Sequence, residues 1–286
     1  MTQLSFLALV LLACCFLYSK PSTGLEIQSF LRNAVDFDGS STSGAEWSYG
    51  CTDSPNGPSH WGELSPEWSK CSQGGLQSPI DIKTYEAEDN AALGPLNFVY
   101  DNDPQYENAS LVYDGHNVLV KRGGGSLVIN GVNYSSIQVE VHSPSEHTFN
   151  GKHYPLELRV VHQSSAGDYA SVTALLEYDK EDNVMFVQYF PFLKDLQQDK
   201  ALHLPVMVWT PEYDNHHYYL YKGSLTTPPC SENVTWIVLK QIYTVSPQQV
   251  EVLTSFLKTP SNRPTQPLNG RKVFSYDDAF EATMSS

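Results

Sequence analysis

Long runs of β-branched and aromatic residues, bounded by turn-forming residues, constrain the fold of this 286-residue chain more than any other feature. Such runs are typical of β-strands. Asn130-Gly131 separates two strand-like segments and favours a tight hairpin turn. We therefore predict a mostly antiparallel β domain with minor helices. The runs are SLVYDGHNVLVKR (110–122), SLVINGVNYSSIQVEVHS (126–143), YPLELRVVH (154–162), ASVTALLEY (170–178) and VTWIVLKQIY (234–243).

One helix is predicted near the carboxyl-terminal end. Ser246 is a suitable amino-terminal cap, Pro247 favours the first helical turn, and Gln249 can complete a capping box. A helix that begins here would place several apolar residues on one face, as a surface helix packed on a core requires. These residues are Val250, Leu253 and Leu257.

The first 24 residues are predicted to be a secretory signal peptide. The apolar run from Leu4 to Tyr18 is short for a membrane-spanning helix, and small and polar residues follow it, as at a signal cleavage site. Residues 25–46 are rich in Ser, Gly and Asp, which predicts a flexible arm. We expect one globular domain over 47–277 and a short tail over 278–286.

The charge of the chain limits its partners. Lys and Arg together number 17 and Asp and Glu 32, giving a formal net charge of −15. Nucleic acids and anionic membranes need a basic surface that releases counterions. We therefore expect neither nucleic-acid nor membrane partners, and a small molecule as the substrate.

The cysteines and sequons fit an oxidising, extracellular location. Cys51, Cys71 and Cys230 would remain after signal cleavage, and two of the three would be expected to pair. Asn-x-Ser/Thr triplets are the acceptor sites of secreted glycoproteins. The asparagines of these triplets are Asn108, Asn133 and Asn233.

Two of the predicted strands carry polar side chains that could converge. Alternate residues of a strand share a face, so Gln138, Glu140 and His142 point together. If the following strand is a neighbour, Glu140, His142 and Arg159 can meet. The residues that share a face on that following strand are Glu157, Arg159 and Val161.

Five motifs stand out along the chain. They are NGPSHWGEL (56–64), QSPIDI (77–82), DGHNV (114–118), SPSEHTFNGKHYPLELRVVH (143–162) and YKGSLTTPPCSENVTWIVLK (221–240). In order and spacing they resemble the α-class carbonic anhydrases over roughly Trp47 to Tyr276, and the HSPSEH and SLTTPPC variants are most similar to plant secreted members. The resemblance implies a large mixed, mainly antiparallel sheet around a conical central cleft, with few short helices. It also implies a family zinc site of three histidines at the base of the cleft.

On this resemblance, the three zinc-ligand positions are occupied by Glu140, His142 and Arg159, so His142 is the one retained ligand. A guanidinium has no lone pair to offer a metal. At about 4 Å and an effective dielectric of about 20 it repels a divalent ion by roughly 8 kcal/mol, and it attracts Glu140 by roughly half that. We therefore predict no zinc and no other cofactor, with Arg159 supplying the positive charge.

The resemblance assigns roles to further residues. Thr226 and Glu146 match the hydrogen-bonded pair that orients the zinc-bound hydroxide. Gln138 and Glu157 match groups that hold the ligand histidines, and His116 matches the proton-shuttle position. The residues that match the wall of the substrate pocket are Val161, Leu225, Thr227 and Trp236.

The resemblance also bears on the cysteines. Cys71 and Cys230 match the disulfide of secreted members. Cys51 is then either a free thiol or available for an intermolecular disulfide. We expect a secreted, extracellular protein, which in a plant means the apoplast.

Several of these matches have a purely structural interpretation. His116 could be an ordinary surface histidine, and Glu140 and Arg159 could form a structural pair. Thr226 and Glu146 could persist because buried hydrogen bonds are costly to break.

Three functional hypotheses follow. The first is metal-independent acid/base catalysis by Glu140, His142 and Arg159, with Thr226 as a donor, on a small carbonyl or iminium substrate. The pattern is similar to carbonic-anhydrase-like proteins of clubmoss alkaloid pathways, which implies a lyase-like, Mannich-type condensation or an isomerisation. The second is a storage or ligand-binding protein without catalysis. The third is residual carbon dioxide hydration, with zinc held by Glu140, His142 and another group.

Overall fold

The computed structural model describes residues 45–99, 109–121, 125–204 and 216–278. The predicted signal peptide, nearly all of the predicted arm and nearly all of the predicted tail lie outside these residues. No helix in the described ranges is long and apolar enough to cross a membrane.

Most of the secondary structure in the described ranges is β-strand. The strands are β1 (Asp81–Ile82), β2 (Glu88–Asp89), β3 (Asn97–Val99), β4 (Ala109–Tyr113), β5 (Val118–Lys121), β6 (Ser126–Ile129), β7 (Val132–His142), β8 (Thr148–Phe149), β9 (Leu156–Ser164), β10 (Tyr169–Tyr178), β11 (Leu202–Leu204), β12 (His217–Ser224), β13 (Glu232–Val245) and β14 (Phe274–Asp277). The α-helices are α1 (Trp61–Leu64), α2 (Lys70–Gln73), α3 (Val184–Val187) and α4 (Pro247–Leu257), and the 3₁₀ segments are Pro66–Trp68 and Phe190–Asp195.

One large sheet organises the chain, in the order β11-β4-β5-β7-β9-β10-β13-β12-β14-β2, with β6 pairing β3 and β7. Most neighbours are antiparallel, whereas β10 with β13 and β14 with β2 are parallel. The predicted fold class, a large mixed and mostly antiparallel sheet with few short helices, is confirmed.

The Asn130-Gly131 hairpin is also confirmed. Strands β6 and β7 pair from Ile129 opposite Val132, which leaves a two-residue turn. Asn130 has φ 51° and Gly131 has φ 79°. Positive φ at both central residues is the geometry that this pair of residue types tolerates best.

Helix α4 begins as predicted. Ser246 Oγ accepts a hydrogen bond from Gln249 N at 3.2 Å, and Gln249 Oε1 accepts one from Ser246 N at 3.4 Å, which completes the capping box. The helix ends at Leu257, and the capping residue Lys258 has φ 63°. The predicted apolar face is buried, as Val250, Leu253 and Leu257.

One face of strands β7 and β9 packs into an apolar core. Val139 and Val141 of β7 pack with Leu158 and Val160 of β9 in a core that also receives Leu253 of α4. Since side chains alternate along a strand, the residues between these valines and leucines must point to the opposite face of the sheet. This alternation places the polar side chains of both strands on the same face of the sheet.

Candidate functional site

Two neighbouring strands place Glu140 and Arg159 directly opposite each other. Strands β7 and β9 pair antiparallel, with Glu140 in register with Arg159 and His142 in register with Glu157. Directly opposite residues of such a pair project to the same face. The predicted convergence of Glu140, His142 and Arg159 is therefore confirmed.

The Arg159 guanidinium is clamped by two carboxylates and a hydroxyl. Its Nε and Nη2 both contact Glu140 Oε2. Its Nη1 donates to Glu146 Oε2 at 2.5 Å and to Thr226 Oγ1 at 2.9 Å. The guanidinium also lies 5.4 Å from the centre of the Trp236 ring. Arg159 is only 4% exposed, so this is a charge held at the base of the site.

Burial and charge pairing act against each other on these groups. Burial alone would raise the pKa of Glu140, but the Arg159 charge, helped by His142 and Gln138, lowers it to about 2. Burial likewise disfavours the charged form of Arg159, yet Glu140 and Glu146 raise its pKa above the usual value. Both groups are therefore ionised across the physiological pH range.

His142 lies beside this pair and is fully buried. Its Nδ1 donates to the Ser261 carbonyl oxygen at 2.5 Å, which fixes the Nδ1–H form of the ring. Its Nε2 lies 3.4 Å from Glu140 Oε2 and 4.0 Å from Glu146 Oε2. Burial and Arg159 lower the pKa of His142, but the two carboxylates outweigh them and raise it overall.

Gln138 and Glu157 each hold a side chain in place, although one partner differs from the expectation. Gln138 Nε2 donates to Glu140 Oε1 at 2.6 Å, so it orients the residue at the first predicted ligand position. Glu157 accepts from His147 N at 2.7 Å and contacts His147 Nδ1 at 3.0 Å. Glu157 thus holds His147, and not a residue at a predicted ligand position.

The predicted hydrogen-bonded pair of Thr226 and Glu146 is not formed among the residues that the structure describes. Both oxygens accept from the same Arg159 nitrogen instead. The other carboxylate oxygen of Glu146 accepts from Arg263 N at 2.8 Å. The prediction was wrong because a guanidinium nitrogen has two protons and can engage both groups at once.

His116 lies apart from the clamped arginine. Its ring stacks on Trp47 with centroids 3.7 Å apart and planes 4° apart, and its Nε2 donates to the Trp47 carbonyl oxygen at 2.9 Å. Within the described ranges it forms no hydrogen bond with Glu140, His142 or Arg159. Its role as a proton shuttle stays a prediction.

Two of the residues predicted for the pocket wall lie beside the charged cluster. Val161 and Trp236 are each 2% exposed. Val161 follows Arg159 by two positions on β9 and therefore shares its face, and the Trp236 ring lies 5.4 Å from the Arg159 guanidinium. Leu225 and Thr227 are half-buried, and their place in the wall stays a prediction.

A family model described as eukaryotic-type carbonic anhydrase matches residues 56–277. The chain belongs to the α-carbonic anhydrase family. It is 36% identical to Alpha carbonic anhydrase 7 of Arabidopsis thaliana over 230 residues, which cover 77% of this chain and 81% of the relative. It is 37% identical to Dioscorin DB3L of Dioscorea polystachya over 239 residues, which cover 78% and 84% of the two chains.

Solved structures of this family have the same fold. The α-carbonic anhydrase of Thermovibrio ammonificans, in complex with the inhibitor sulfanilamide, superposes with a TM-score of 0.72 at 37% identity and covers 81% of this chain and 99% of its own. A crystal structure of dioscorin complexed with ascorbate also has a TM-score of 0.72, at 34% identity, with 82% and 98% covered.

The family normally binds zinc, but the groups at this base do not fit that ion. Catalytic zinc in α-carbonic anhydrases needs three uncharged imidazole donors, whereas the base here presents one imidazole, Glu140 and the guanidinium of Arg159. A metal seated between them would have to displace a cation already bound by Glu140 and Glu146. In the described ranges no three His, Cys, Asp or Glu side chains are grouped to hold a metal ion. The absence of zinc from the protein remains a prediction.

The disulfide expected from the family is present. Cys71 and Cys230 are joined across 159 residues of sequence. Cys51 lies outside this bond and is half-buried, and its intermolecular pairing stays a prediction. Asn133 and Asn233 are exposed, which suits glycosylation, and Asn108 lies outside the described residues.

Two groups around the site were missed by the sequence analysis. Ser261 and Arg263 belong to a segment without regular structure, and they reach the site through backbone atoms, which no side-chain pattern reveals. His147 and Tyr221 form a buried pair at 2.7 Å on the far side of Glu157. The histidine in SEHT could have been noted, since it directly follows Glu146.

Proposed function

We propose that this member of the α-carbonic anhydrase family has exchanged zinc hydratase chemistry for metal-independent acid/base catalysis on a small carbonyl or iminium compound. The reaction class we favour is a Mannich-type condensation or an isomerisation. The observation that carries the proposal is the buried Arg159 guanidinium, clamped by Glu140, Glu146 and Thr226. The sequence resemblance assigns the position of Arg159 to a zinc ligand, which supports the proposal. A fixed, buried cation can stabilise negative charge that develops on a substrate oxygen.

In this proposal Glu140, His142 and Arg159 have different roles. Glu140, with a pKa of about 2, is a weak base, and its role is to fix Arg159 and to raise the pKa of His142. His142 would take up and release a proton at Nε2, since its Nδ1 is committed to Ser261. Arg159 donates three hydrogen bonds, from Nε to Glu140 and from Nη1 to Glu146 and Thr226, and its Nη2 contacts Glu140 Oε2. In this proposal Nη2 is the donor to a substrate oxygen.

A binding or storage function is the second candidate. The relatives include dioscorins, and one dioscorin has been crystallised with ascorbate. A cluster whose charges are already balanced inside the protein is compatible with ligand binding without turnover. Residual carbon dioxide hydration is the third candidate, and the clamped Arg159 argues against it.

Reintroduction of the family ligands tests the first part of the proposal. Zinc would be measured by elemental analysis and carbon dioxide hydration by stopped-flow for the wild type, for Glu140→His, for Arg159→His and for the double variant. We expect one zinc per chain and a gain of hydration only in the double variant. Stoichiometric zinc together with fast hydration in the wild type would overturn the proposal.

Turnover separates catalysis from storage. The wild type, His142→Ala and Glu140→Gln would be incubated with mixtures of a cyclic imine and a β-keto acid, and carbon–carbon bond formation would be followed by mass spectrometry. We expect turnover in the wild type that His142→Ala abolishes and Glu140→Gln reduces. Equal rates in all three would refute the assigned roles, and no turnover in the wild type would favour binding.

An untargeted comparison of the small molecules in source tissue with and without the protein would reveal the substrate. It does not require a candidate compound to be chosen in advance. A reaction of the proposed class predicts that an imine or carbonyl precursor accumulates when the protein is removed. If no compound accumulates or disappears, storage becomes the better interpretation.

We also propose that the protein is secreted and glycosylated. The Cys71–Cys230 disulfide supports an oxidising compartment, and the exposed Asn133 and Asn233 support glycosylation. Expression in a eukaryotic host should yield the protein in the medium, with a mass that falls after treatment with an N-glycosidase. Non-reducing electrophoresis of the same material would show whether Cys51 links two chains.

A further inference from the structure

Asparagine is followed by glycine at four places in the chain. Asparagine is chemically labile. A following glycine makes it more so, because glycine has no side chain to shield the backbone nitrogen that attacks the asparagine amide. This attack deamidates the asparagine without an enzyme. The four pairs are Asn56-Gly57, Asn130-Gly131, Asn150-Gly151 and Asn269-Gly270.

Three of these pairs form turns with the same backbone conformation. The φ values of the asparagine and the glycine are 51° and 79° at 130–131, 53° and 81° at 150–151, and 50° and 78° at 269–270. All three asparagines are exposed. Backbone conformation and exposure therefore do not distinguish these sites, and the difference lies in the hydrogen bonds that hold the reacting groups.

At Asn150 both reacting groups are held. Asn150 Oδ1 accepts a hydrogen bond from Thr84 N at 3.0 Å, and Asn150 Nδ2 donates one to Thr84 Oγ1 at 2.9 Å. The backbone nitrogen of Gly151 donates to Asp81 Oδ1 at 2.7 Å. Attack by this nitrogen on the amide would require these hydrogen bonds to break.

Hydrogen bonds also hold the reacting groups at Asn56 and Asn269. Asn56 Oδ1 accepts from Ser54 Oγ at 3.3 Å, and the nitrogen of Gly57 donates to the Ser54 carbonyl oxygen at 2.8 Å. Asn269 Nδ2 donates to the Gly75 carbonyl oxygen at 3.1 Å. The side chain of each asparagine is therefore restrained, and at Asn56 the attacking nitrogen is restrained as well.

Asn130 differs from the other three asparagines. Neither its side-chain amide nor the backbone nitrogen of Gly131 has a hydrogen-bond partner among the residues that the structure describes. We propose that Asn130 is a site of spontaneous deamidation and that the folded chain protects the other three pairs. This inference is independent of the proposed function, because the turn precedes the start of β7, whereas Glu140 and His142 lie at its end.

The reaction proceeds through a ring. The Gly131 nitrogen attacks Cγ of Asn130 and gives up its proton, and the bond from Cγ to Nδ2 breaks, so that ammonia leaves. A five-membered succinimide remains, and water opens it at either of its two carbonyl groups. One opening gives aspartate, and the other gives isoaspartate, in which the main chain passes through Cβ and Cγ.

Either product changes the hairpin between β6 and β7. A carboxylate replaces a neutral amide, and isoaspartate adds one carbon to the main chain of a two-residue turn. The strands pair directly from Ile129 and Val132, so the turn itself must accommodate the added atom. We expect the isoaspartate form to have a less stable hairpin end and to accumulate with the age of the protein.

Rates at the individual sites test the inference. The full chain would be incubated at mildly alkaline pH, and deamidation at each asparagine would be followed by peptide mapping with tandem mass spectrometry. Asn130 should react fastest, and at least about tenfold faster than Asn150, whose reacting groups make three hydrogen bonds. The same chain unfolded in guanidinium chloride should react at similar rates at all four sites, because unfolding removes the protecting hydrogen bonds.

Two results would overturn the inference. One is a rate at any of the other three asparagines of the folded protein that equals or exceeds the rate at Asn130. The other is an intact Asn130 in the folded protein under conditions in which the unfolded chain reacts. Asn130→Gln is the control that identifies the signal, because the longer side chain would have to form a less favoured six-membered ring.

Removal of the hydrogen bonds at Asn150 tests the physical explanation. Asp81→Ala/Thr84→Ala removes the carboxylate that binds the Gly151 nitrogen and the hydroxyl that binds Asn150 Nδ2, and it should speed deamidation of Asn150 severalfold. Thr84→Ser keeps the hydroxyl and should leave Asn150 slow. The rate at Asn56 reports whether each variant is folded, since its hydrogen bonds lie elsewhere. Asn150 that stays slow in the folded double variant overturns the inference, and if that variant unfolds, Thr84→Ala alone gives the same test.

Discussion

Replacement of Glu140 by glutamine measures how strongly the buried ion pair stabilises the fold. The substitution keeps the shape of the side chain and removes the charge that Arg159 contacts through Nε and Nη2. Folding lowers the pKa of Glu140 from 4.5 to about 2, a difference of about 2.5. At about 1.36 kcal/mol for each pKa unit, the ionised form contributes about 3 kcal/mol at neutral pH. The loss expected on breaking a buried ion pair is similar, about 3–5 kcal/mol.

The same pair predicts a pH dependence. A carboxyl whose pKa is lower in the folded protein stabilises it above the unfolded pKa and loses that effect as the pH falls through the folded pKa. The difference in unfolding free energy between wild type and Glu140→Gln should therefore be about 3 kcal/mol at pH 7. It should shrink between pH 4.5 and pH 2 as Glu140 of the wild type becomes protonated.

Urea unfolding followed by tryptophan fluorescence at several pH values would give both numbers. Glu177→Gln is the matched control, because Glu177 pairs with Lys152 on the surface and both are about half exposed. Exposed pairs contribute little, so no measurable change is expected there. A loss below about 1 kcal/mol for Glu140→Gln at pH 7, or a loss independent of pH, would refute the reasoning.

Three further predictions concern the disulfide and the two ends of helix α4. Removal of the disulfide by Cys71→Ser/Cys230→Ser should lower the unfolding free energy by about 5 kcal/mol, because the bond closes a loop of 159 residues. An equal urea midpoint for wild type and variant would contradict this. Ser246→Ala should cost about 1 kcal/mol in the same assay, since the cap of α4 loses its acceptor for Gln249 N. Lys258→Gly should raise the melting temperature, because φ of 63° strains a side chain by about 1 kcal/mol and does not strain glycine.

The sequence predicted those parts of the fold that depend on local patterns. The hairpin at Asn130-Gly131 and the start of α4 each depend on residues only a few positions apart. The convergence of Glu140 and Arg159 could also be predicted, because strand alternation and one short connection determine it. Each of these features is specified by residue type and spacing alone.

The remaining features depend on contacts between distant segments. Ser261 and Arg263 reach the site across 119 and 117 residues, and they use backbone atoms that any residue possesses. The pairing of Thr226 with Glu146 was predicted wrongly, because the sequence does not show that both groups accept hydrogen bonds from Arg159.

The contacts of Ser261 and Arg263 have a consequence for biosynthesis. The imidazole of His142 and the carboxylate of Glu146 each have one bond to this late segment, and Arg263 also binds the carbonyl oxygens of Cys71 and Ser78. A nascent chain that stops before this segment can pair β7 with β9, but it leaves buried polar atoms without partners. Ligand affinity should therefore appear late in translation, after nearly all of the sheet has been made, and truncated translation products should fold without gaining it.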